Sequence, residues 1–421
     1  MLSNPQAIII GAGPAGLAAA LRLHQQTDIK CTVYELRPEP TTLGGAVGIL
    51  PNGLRLLHRL GVYDAAVARG YSGRNLTLHS VQGHVIGSMD HVGWARERTG
   101  FGYLRIKRAA LQDVLLQATT KAGIPVRFGK RLTTIDDSVD GVKVTFSDGS
   151  VDSADLLIGC DGIHSNVRRS YIDPTQTSEY SGLSGIMSIV PAEVVSAEVM
   201  DQISGLEATF TEEGMLAMNP CTASKDELFW FFTKEVPLPE SGDSRDGWEV
   251  HGKEEVEGFK TMILGVLKNT EGEWGNALKK VISNTSVVKF YPIYRLPLGK
   301  AWSKGRCVLA GDAAHAMSPH AGQGVSMALE DVFLLSRLLE DRTRPLGEVF
   351  EKYDAIRRPR VNEIFKMAAD NGEMRKRITP WRLWFREITI TLGMNMSWAL
   401  GLDKKGMRQG HLTYDIDEAE L

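Results

Sequence analysis

The sequence predicts an α/β protein: a Rossmann-like, doubly wound domain interrupted by an inserted mixed or antiparallel β-sheet and followed by a C-terminal helical segment. Three observations carry this expectation. The apolar run Ala7–Ile10 meets Gly11-Ala12-Gly13-Pro14-Ala15-Gly16, then a helical stretch from Leu17 to Leu23 and a second strand, Ile29–Tyr34, ending in Glu35. Two more apolar strands run into glycine-containing turns, Asp155–Ile158 into Gly159-Cys160-Asp161-Gly162 and Arg306–Ala310 into Gly311-Asp312-Ala313-Ala314-His315. Between 180 and 300 the texture changes to strand-like runs alternating with loops. The boundaries expected are 1–175 and 299–370 for the two parts of the first domain, 176–298 for the sheet insertion and 371–421 for the terminal helices.

The opening loop is a dinucleotide fingerprint because of its setting as well as its glycines. Gly11 permits the tight turn, Gly13 lets a pyrophosphate approach the backbone, and Gly16 lets the helix pack on the strand. The helix start offers free N–H groups to phosphate. Glu35, nineteen residues beyond Gly16, is placed to accept from a ribose.

Along the chain, the Pro-, Thr- and Gly-rich segment Arg37–Gly48 reads as a mobile loop, and Pro51–Leu60 as a helix stopped by Gly61. Leu76–His79 and Val85–Met89 read as a strand pair, and Arg108–Leu115 as an amphipathic helix. Strands are expected at Val126–Phe128, Thr133–Ile135 and Val142–Phe146, then at Ile186–Val190, Glu207–Thr211, Met215–Met218, Leu228–Thr233 and Val287–Leu296. Trp248–Leu278 reads as a charged helical insertion, Gln323–Leu339 as a helix, and the uncharged run Ile388–Leu402 as a packed helix.

A formal charge of -3 over 421 residues argues against a nucleic-acid partner. Cys31, Cys160, Cys221 and Cys307 form no C-x-x-C pair, and three lie in apolar runs; free buried thiols in a reducing compartment are expected, with no disulfide and no metal. The first strand begins too early for a leader peptide, and no apolar run is long enough to span a membrane, so a cytoplasmic location is expected.

Taken together and in this order, the three motifs (Gly11–Gly16 with Glu35; Gly159–Gly162 with His164, Ser165 and Arg168; Gly311–His315 with Pro319, Gly322, Gln323 and Gly324) resemble those of the single-component, class A FAD-dependent aromatic monooxygenases. The likeness spans roughly residues 7–370 and is greatest to fungal and bacterial members related to salicylate and urate hydroxylases. It implies a para-hydroxybenzoate-hydroxylase-like fold and FAD, with NADPH or NADH as co-substrate. Gly11, Gly13, Ala15 and Gly16 would hold the pyrophosphate, Glu35 the adenosine ribose, Gly48 the flavin side, Arg108 phosphate or ribityl oxygens, and Asp312 the ribityl chain. Asp161 would orient Arg108 or the arriving nicotinamide dinucleotide, or would simply hold an Asp-Gly turn. Gly322, Gly324 and Val325 would aim a helix N-terminus at the negative edge of reduced flavin. His315 reads as a satisfied structural histidine; His164 has no assigned role, and no acid or base residue is identified.

The resemblance further implies that the inserted sheet meets the substrate. Relatives place Trp230 and Phe232 on the pocket side, with Met215, Ala217 and Asn219 from the preceding strand, Tyr291 from the strand leading back, and Pro319 near the ring; each aromatic has sheet core as its alternative. Met187 stands where many relatives carry a substrate-fixing arginine, and Met215 replaces a basic residue of urate-type relatives. A largely neutral aromatic or hydrophobic substrate, a secondary metabolite, is therefore expected, hydroxylated or epoxidised through a C4a-hydroperoxyflavin. The enzyme would be a monomer or homodimer taking a small molecule and O2. An FAD-dependent reductase or dehydrogenase on the same fold, or a non-enzymatic binding protein, are the alternatives.

Overall fold

The computed structural model describes residues 5–40, 45–237, 256–402, 405–406 and 409–421. Its first sheet has six strands in the order Ser303–Lys304, Cys307–Leu309, Leu156–Gly159, Gln6–Ile10, Lys30–Tyr34 and Val126–Arg127. The strands are parallel except at the edge pair Ser303–Lys304 and Cys307–Leu309. Near-continuous apolar strands suit a sheet covered on both faces; helices Pro14–Gln26 and Gly324–Glu340 supply part of that cover, and Leu17, Leu21, Leu329 and Phe333 join the strands in one core.

Register decides where the motifs go. Ile10 lies opposite Gly159, and Gly159 opposite Leu309. The three glycine-containing turns therefore leave the same edge of the sheet side by side. The carboxyl edge of an open α/β sheet is where ligands bind.

The second sheet has seven strands: Lys289–Arg295, Glu179–Pro191, Glu227–Glu235, Gly214–Pro220, Gly205–Phe210, Asn75–His79 and Val85–Asp90. It is mixed, because Gly205–Phe210 runs parallel to Asn75–His79 while the other pairs are antiparallel. Its last two strands come from a segment expected within the first part of the nucleotide-binding domain. Helices Val256–Val266 and Gly272–Ser283 cover one face, where Ile186, Leu216, Met218, Trp230, Phe232 and Phe290 are buried. These helices correspond to most of the expected insertion; its residues 248–255 lie outside the described residues.

A two-stranded ribbon, Ala46–Ile49 with Leu104–Lys107, is a third feature, so Gly48 stands in a strand rather than at a loop's end. Residues 41–44 of that expected loop lie outside the described residues. The C-terminal region is helical over Leu346–Glu373 and Pro380–Ala399. The latter is not the packed helix expected: Leu383 is its buried residue, while Trp381, Trp384, Phe385, Leu392, Met396 and Trp398 are exposed. Lack of charge did not mean burial, because only one narrow stripe of this helix meets the sheet. Among the described residues no helix is long and apolar enough to cross a membrane.

Candidate active site

The first loop forms an open cradle. Gly11 has φ +105°, and a Cβ there would sit 2.5 Å from the Cys160 carbonyl oxygen, so only glycine lets the first and second loops touch. In front of Gly13 a Cβ would meet nothing within 4 Å. The helix that follows has no side-chain cap, which leaves its first N–H groups for a ligand. Glu35 accepts from the Ala12 N–H through Oε2 at 2.8 Å and from the Arg37 N–H through Oε1 at 3.0 Å. Gln112 donates to the Ala12 carbonyl at 2.9 Å and draws helix Arg108–Lys121 over the loop, with Arg108 exposed at its start. Gln112 was missed in the sequence; its spacing of one helical turn from Arg108 was the available signal.

The second motif turns inward. Asp161 Oδ2 accepts from the Asn166 N–H at 2.6 Å and the Val167 N–H at 3.2 Å. Burial raises its carboxyl, and its neighbouring cation is Arg168 rather than Arg108. Backbone N–H groups six residues away at most claim Oδ2, while Oδ1 is buried without a hydrogen-bond partner. Arg168 is almost wholly buried and donates to the Ala313 and Ile163 carbonyl oxygens, tying the second motif to the third.

In the third motif Asp312 is exposed at the start of the short helix Asp312–His315. Ala15 lies beneath the turn, its methyl 3.3 Å from where a Gly311 Cβ would stand. The turn is held from below by Asp331, whose Oδ2 accepts from the Gly311 N–H at 2.8 Å and lies 2.6 Å from His315 Nε2. Asp331 Oδ1 accepts from Arg357 Nε at 2.7 Å, and Glu330 accepts from Arg357 Nη1 at 2.6 Å and from Asn52 at 2.8 Å. Burial opposes ionisation of Asp331, but His315 and Arg357 more than offset it and hold the carboxyl below its usual range. His315 is therefore a satisfied structural residue. The network itself was missed. Its signal was an acidic pair, Glu330-Asp331, inside an otherwise apolar helix.

Asn52 also donates to Gln323 Oε1 at 2.9 Å, which anchors the start of helix Gly324–Glu340. Gly322 and Gly324 are exposed there, Val325 is half-buried, and the helix has no side-chain cap. Pro319 is exposed at the head of the preceding turn. Gly48 packs under Tyr103, and Gly45 under Phe229.

Register corrects the substrate wall. Trp230 and Phe232 face the helices: Trp230 Nε1 donates to Thr285 Oγ1 at 3.0 Å, and both side chains belong to the core beneath those helices. The opposite face carries Phe229 and Phe231, whose cross-strand partners are Asn219 and Ala217. Met187 also pairs with Phe231, Met215 with Thr233, and Tyr291 with Gly185, so Met187, Met215, Asn219 and Tyr291 share the face of Phe229 and Phe231, opposite to Trp230 and Phe232. A period-two strand inverts its whole pattern for an alignment slip of one residue.

Among the described residues no group of three or more His, Cys, Asp or Glu could hold a metal, and all four cysteines are free and buried. Burial pushes the Cys31 and Cys221 thiols up to about 12.

Comparison with known proteins agrees with this geometry. An FAD binding domain family matches residues 4–251 and 296–368. The chain is 29% identical over 383 residues to a 6-hydroxynicotinate 3-monooxygenase of Pseudomonas fluorescens, covering 90% of this chain and 94% of that one. It is 30% identical over 392 residues to an FAD-dependent urate hydroxylase of Klebsiella pneumoniae, covering 92% and 95%. The structure of Klebsiella pneumoniae HpxO complexed with FAD and uric acid superposes with a TM-score of 0.77 at 26% identity, covering 94% of this chain and 96% of that one.

Proposed function

This chain belongs to the FAD-dependent aromatic monooxygenases of the FAD binding domain family, and on that premise we propose that it uses NADH or NADPH to insert one atom of O2 into an aromatic or largely hydrophobic small molecule. The observation that carries this reading is the register of the first sheet, which delivers three motif turns to one edge beside an apolar sheet face.

The chain's own groups have separable tasks. The open cradle at Gly13 and the exposed Arg108 hold the pyrophosphate, while Glu35 releases a bond to Ala12 to accept from a ribose. Asp312, fixed through Gly311 and Asp331, accepts from the ribityl hydroxyls. The uncapped helix start at Gly324 supplies N–H groups and a positive dipole end where negative charge develops. Met187, Met215, Ala217 and Phe231 form a wall that excludes water from the substrate. FAD, when bound, supplies the redox and oxygen chemistry, which is why no side chain has to act as a strong acid or base.

The test is reduction of the yellow protein by NADH and by NADPH without oxygen, followed by a screen of aromatic compounds for faster nucleotide oxidation in air with products checked by mass. Compound-stimulated oxidation with an oxygenated product supports the reading. Reduction with transfer of electrons to an acceptor and no oxygenated product favours a reductase.

A further inference from the structure

We propose that Arg105 and Asn219 form an anion-recognising anchor at one end of the substrate pocket, so that the preferred substrate is apolar over most of its surface but presents one carboxylate or other ionised oxygen. This rests on the monooxygenase reading above and replaces the expectation of a largely neutral substrate.

Strand periodicity fixes the side to which Arg105 points. In Leu104–Lys107, Leu104 and Ile106 enter the main core, so Arg105 and Lys107 point the other way, towards the second sheet. Lys107 is neutralised there by Glu227 at 2.6 Å. Arg105 is not. It is 9% exposed, its Nε is buried without a hydrogen-bond partner, and among the described residues no carboxylate forms an ion pair with it. The neighbouring acids are already committed, Glu227 to Lys107 and Asp90 to Arg96.

Its surroundings are aromatic. The guanidinium carbon lies 5.6 Å from the ring centres of both Tyr103 and Phe229. Tyr103 packs on Gly48, which pairs with Arg105 in the ribbon, and Phe229 on Gly45, which directly precedes it. Phe229 pairs across the sheet with Asn219. The Asn219 side chain is fully buried, and both it and Arg105 reach the Tyr103 hydroxyl, although neither Asn219 side-chain atom completes a hydrogen bond of good geometry. A buried arginine with no counter-charge among the described residues and a buried amide with only Tyr103 beside it each cost stability unless a ligand completes their bonds. Both lie against the Tyr103 side chain. Guanidinium plus amide N–H is the donor set for an anionic oxygen. The wall from Phe231 to Met187 remains apolar, which accommodates the remainder of the molecule.

The experiment uses the purified holoenzyme and three matched acid–amide pairs: salicylate and salicylamide, anthranilate and anthranilamide, quinaldate and quinaldamide. Binding is read from the change in the flavin absorption spectrum. At least one acid should bind about tenfold or more tightly than its amide. Arg105→Met should lose that preference by weakening the acid and not the amide, Arg105→Lys should keep part of it, and Asn219→Leu should weaken both. Flavin content should stay at the wild-type level in all three variants. Absence of acid binding in every pair, an equal affinity for acids and amides, or a preference that survives Arg105→Met overturns the proposal. Loss of flavin from Arg105→Met also overturns it, by making Arg105 a cofactor ligand. A wild-type protein that binds no flavin at all contradicts instead the monooxygenase reading on which the proposal rests.

Discussion

The Arg168 guanidinium, 1% exposed, donates to the Ala313 carbonyl oxygen at 2.7 Å. This bond joins a residue of the second motif to the backbone of the third, 145 positions away. Arg168→Met should therefore loosen Asp312 as well as its own turn. Lost charged hydrogen bonds of this kind cost about 1.5–3 kcal/mol each. Thermal unfolding should fall and flavin should wash out on gel filtration; a variant of unchanged melting point that keeps its flavin would show that the two turns are held by other contacts.

Asp312 is exposed while the residues that position it are buried. Asp312→Ala should weaken FAD by about 10- to 100-fold, the equivalent of one or two charge-assisted hydrogen bonds, with little change in the stability of the apoprotein. Flavin fluorescence titration and apoprotein unfolding measure the two separately. By contrast, Asp331→Asn breaks a buried network with Arg357 and should cost about 3–5 kcal/mol of stability, read by urea unfolding.

Trp230 and Phe231 are adjacent and should behave oppositely, because they face opposite sides of the sheet. Trp230→Ala opens the helix-covered core and should cost about 3–5 kcal/mol, leaving the fraction of nucleotide oxidation coupled to product unchanged in whatever protein remains folded. Phe231→Ala should raise KM and divert oxidation to peroxide with a smaller loss of stability. Reversal of this pattern would restore the opposite strand register.

His320, in the turn before helix Gly324–Glu340, is pushed down to about 3 by burial and then by Arg375. A histidine in the unfolded chain titrates near 6.5. Between these values the unfolded state holds the extra proton, so this group makes stability rise with pH from about 3 to about 6.5 and contributes no further slope above that. His320→Gln should flatten the stability profile in that window alone, measured by urea midpoints at a series of pH values. Parallel profiles for the two proteins would place the titration elsewhere.

The parts legible in the sequence were those in which local chemistry and fold coincide. The strand, turn and helix around Gly11–Gly16 are specified by contiguous residues, and so is the buried strand leading to Asp312. Facing was harder. The run Leu228-Phe229-Trp230-Phe231-Phe232 is apolar on both sides because two helices cover the face of Trp230 and Phe232 while Phe231 packs in a cluster with Met215, Ala217 and Leu383 on the other, so alternation carried no sign. Arg105 was invisible for a different reason: its meaning comes from having no carboxylate partner among the described residues, and partners such as Glu227 for Lys107 are assigned only when the ribbon meets the sheet. The Asp331–Arg357 network likewise joins positions 26 apart on separate helices.

Oxygen transfer from O2 to the substrate is what separates a monooxygenase from a reductase on this fold. The most direct measurement is turnover of the compound that best stimulates NAD(P)H oxidation under isotopically heavy O2, with the product analysed by mass. A monooxygenase leaves one heavy oxygen in the product and the other in water. Product carrying only solvent oxygen, or nucleotide oxidation with no oxygenated product from any compound that stimulates it, would contradict the monooxygenase reading.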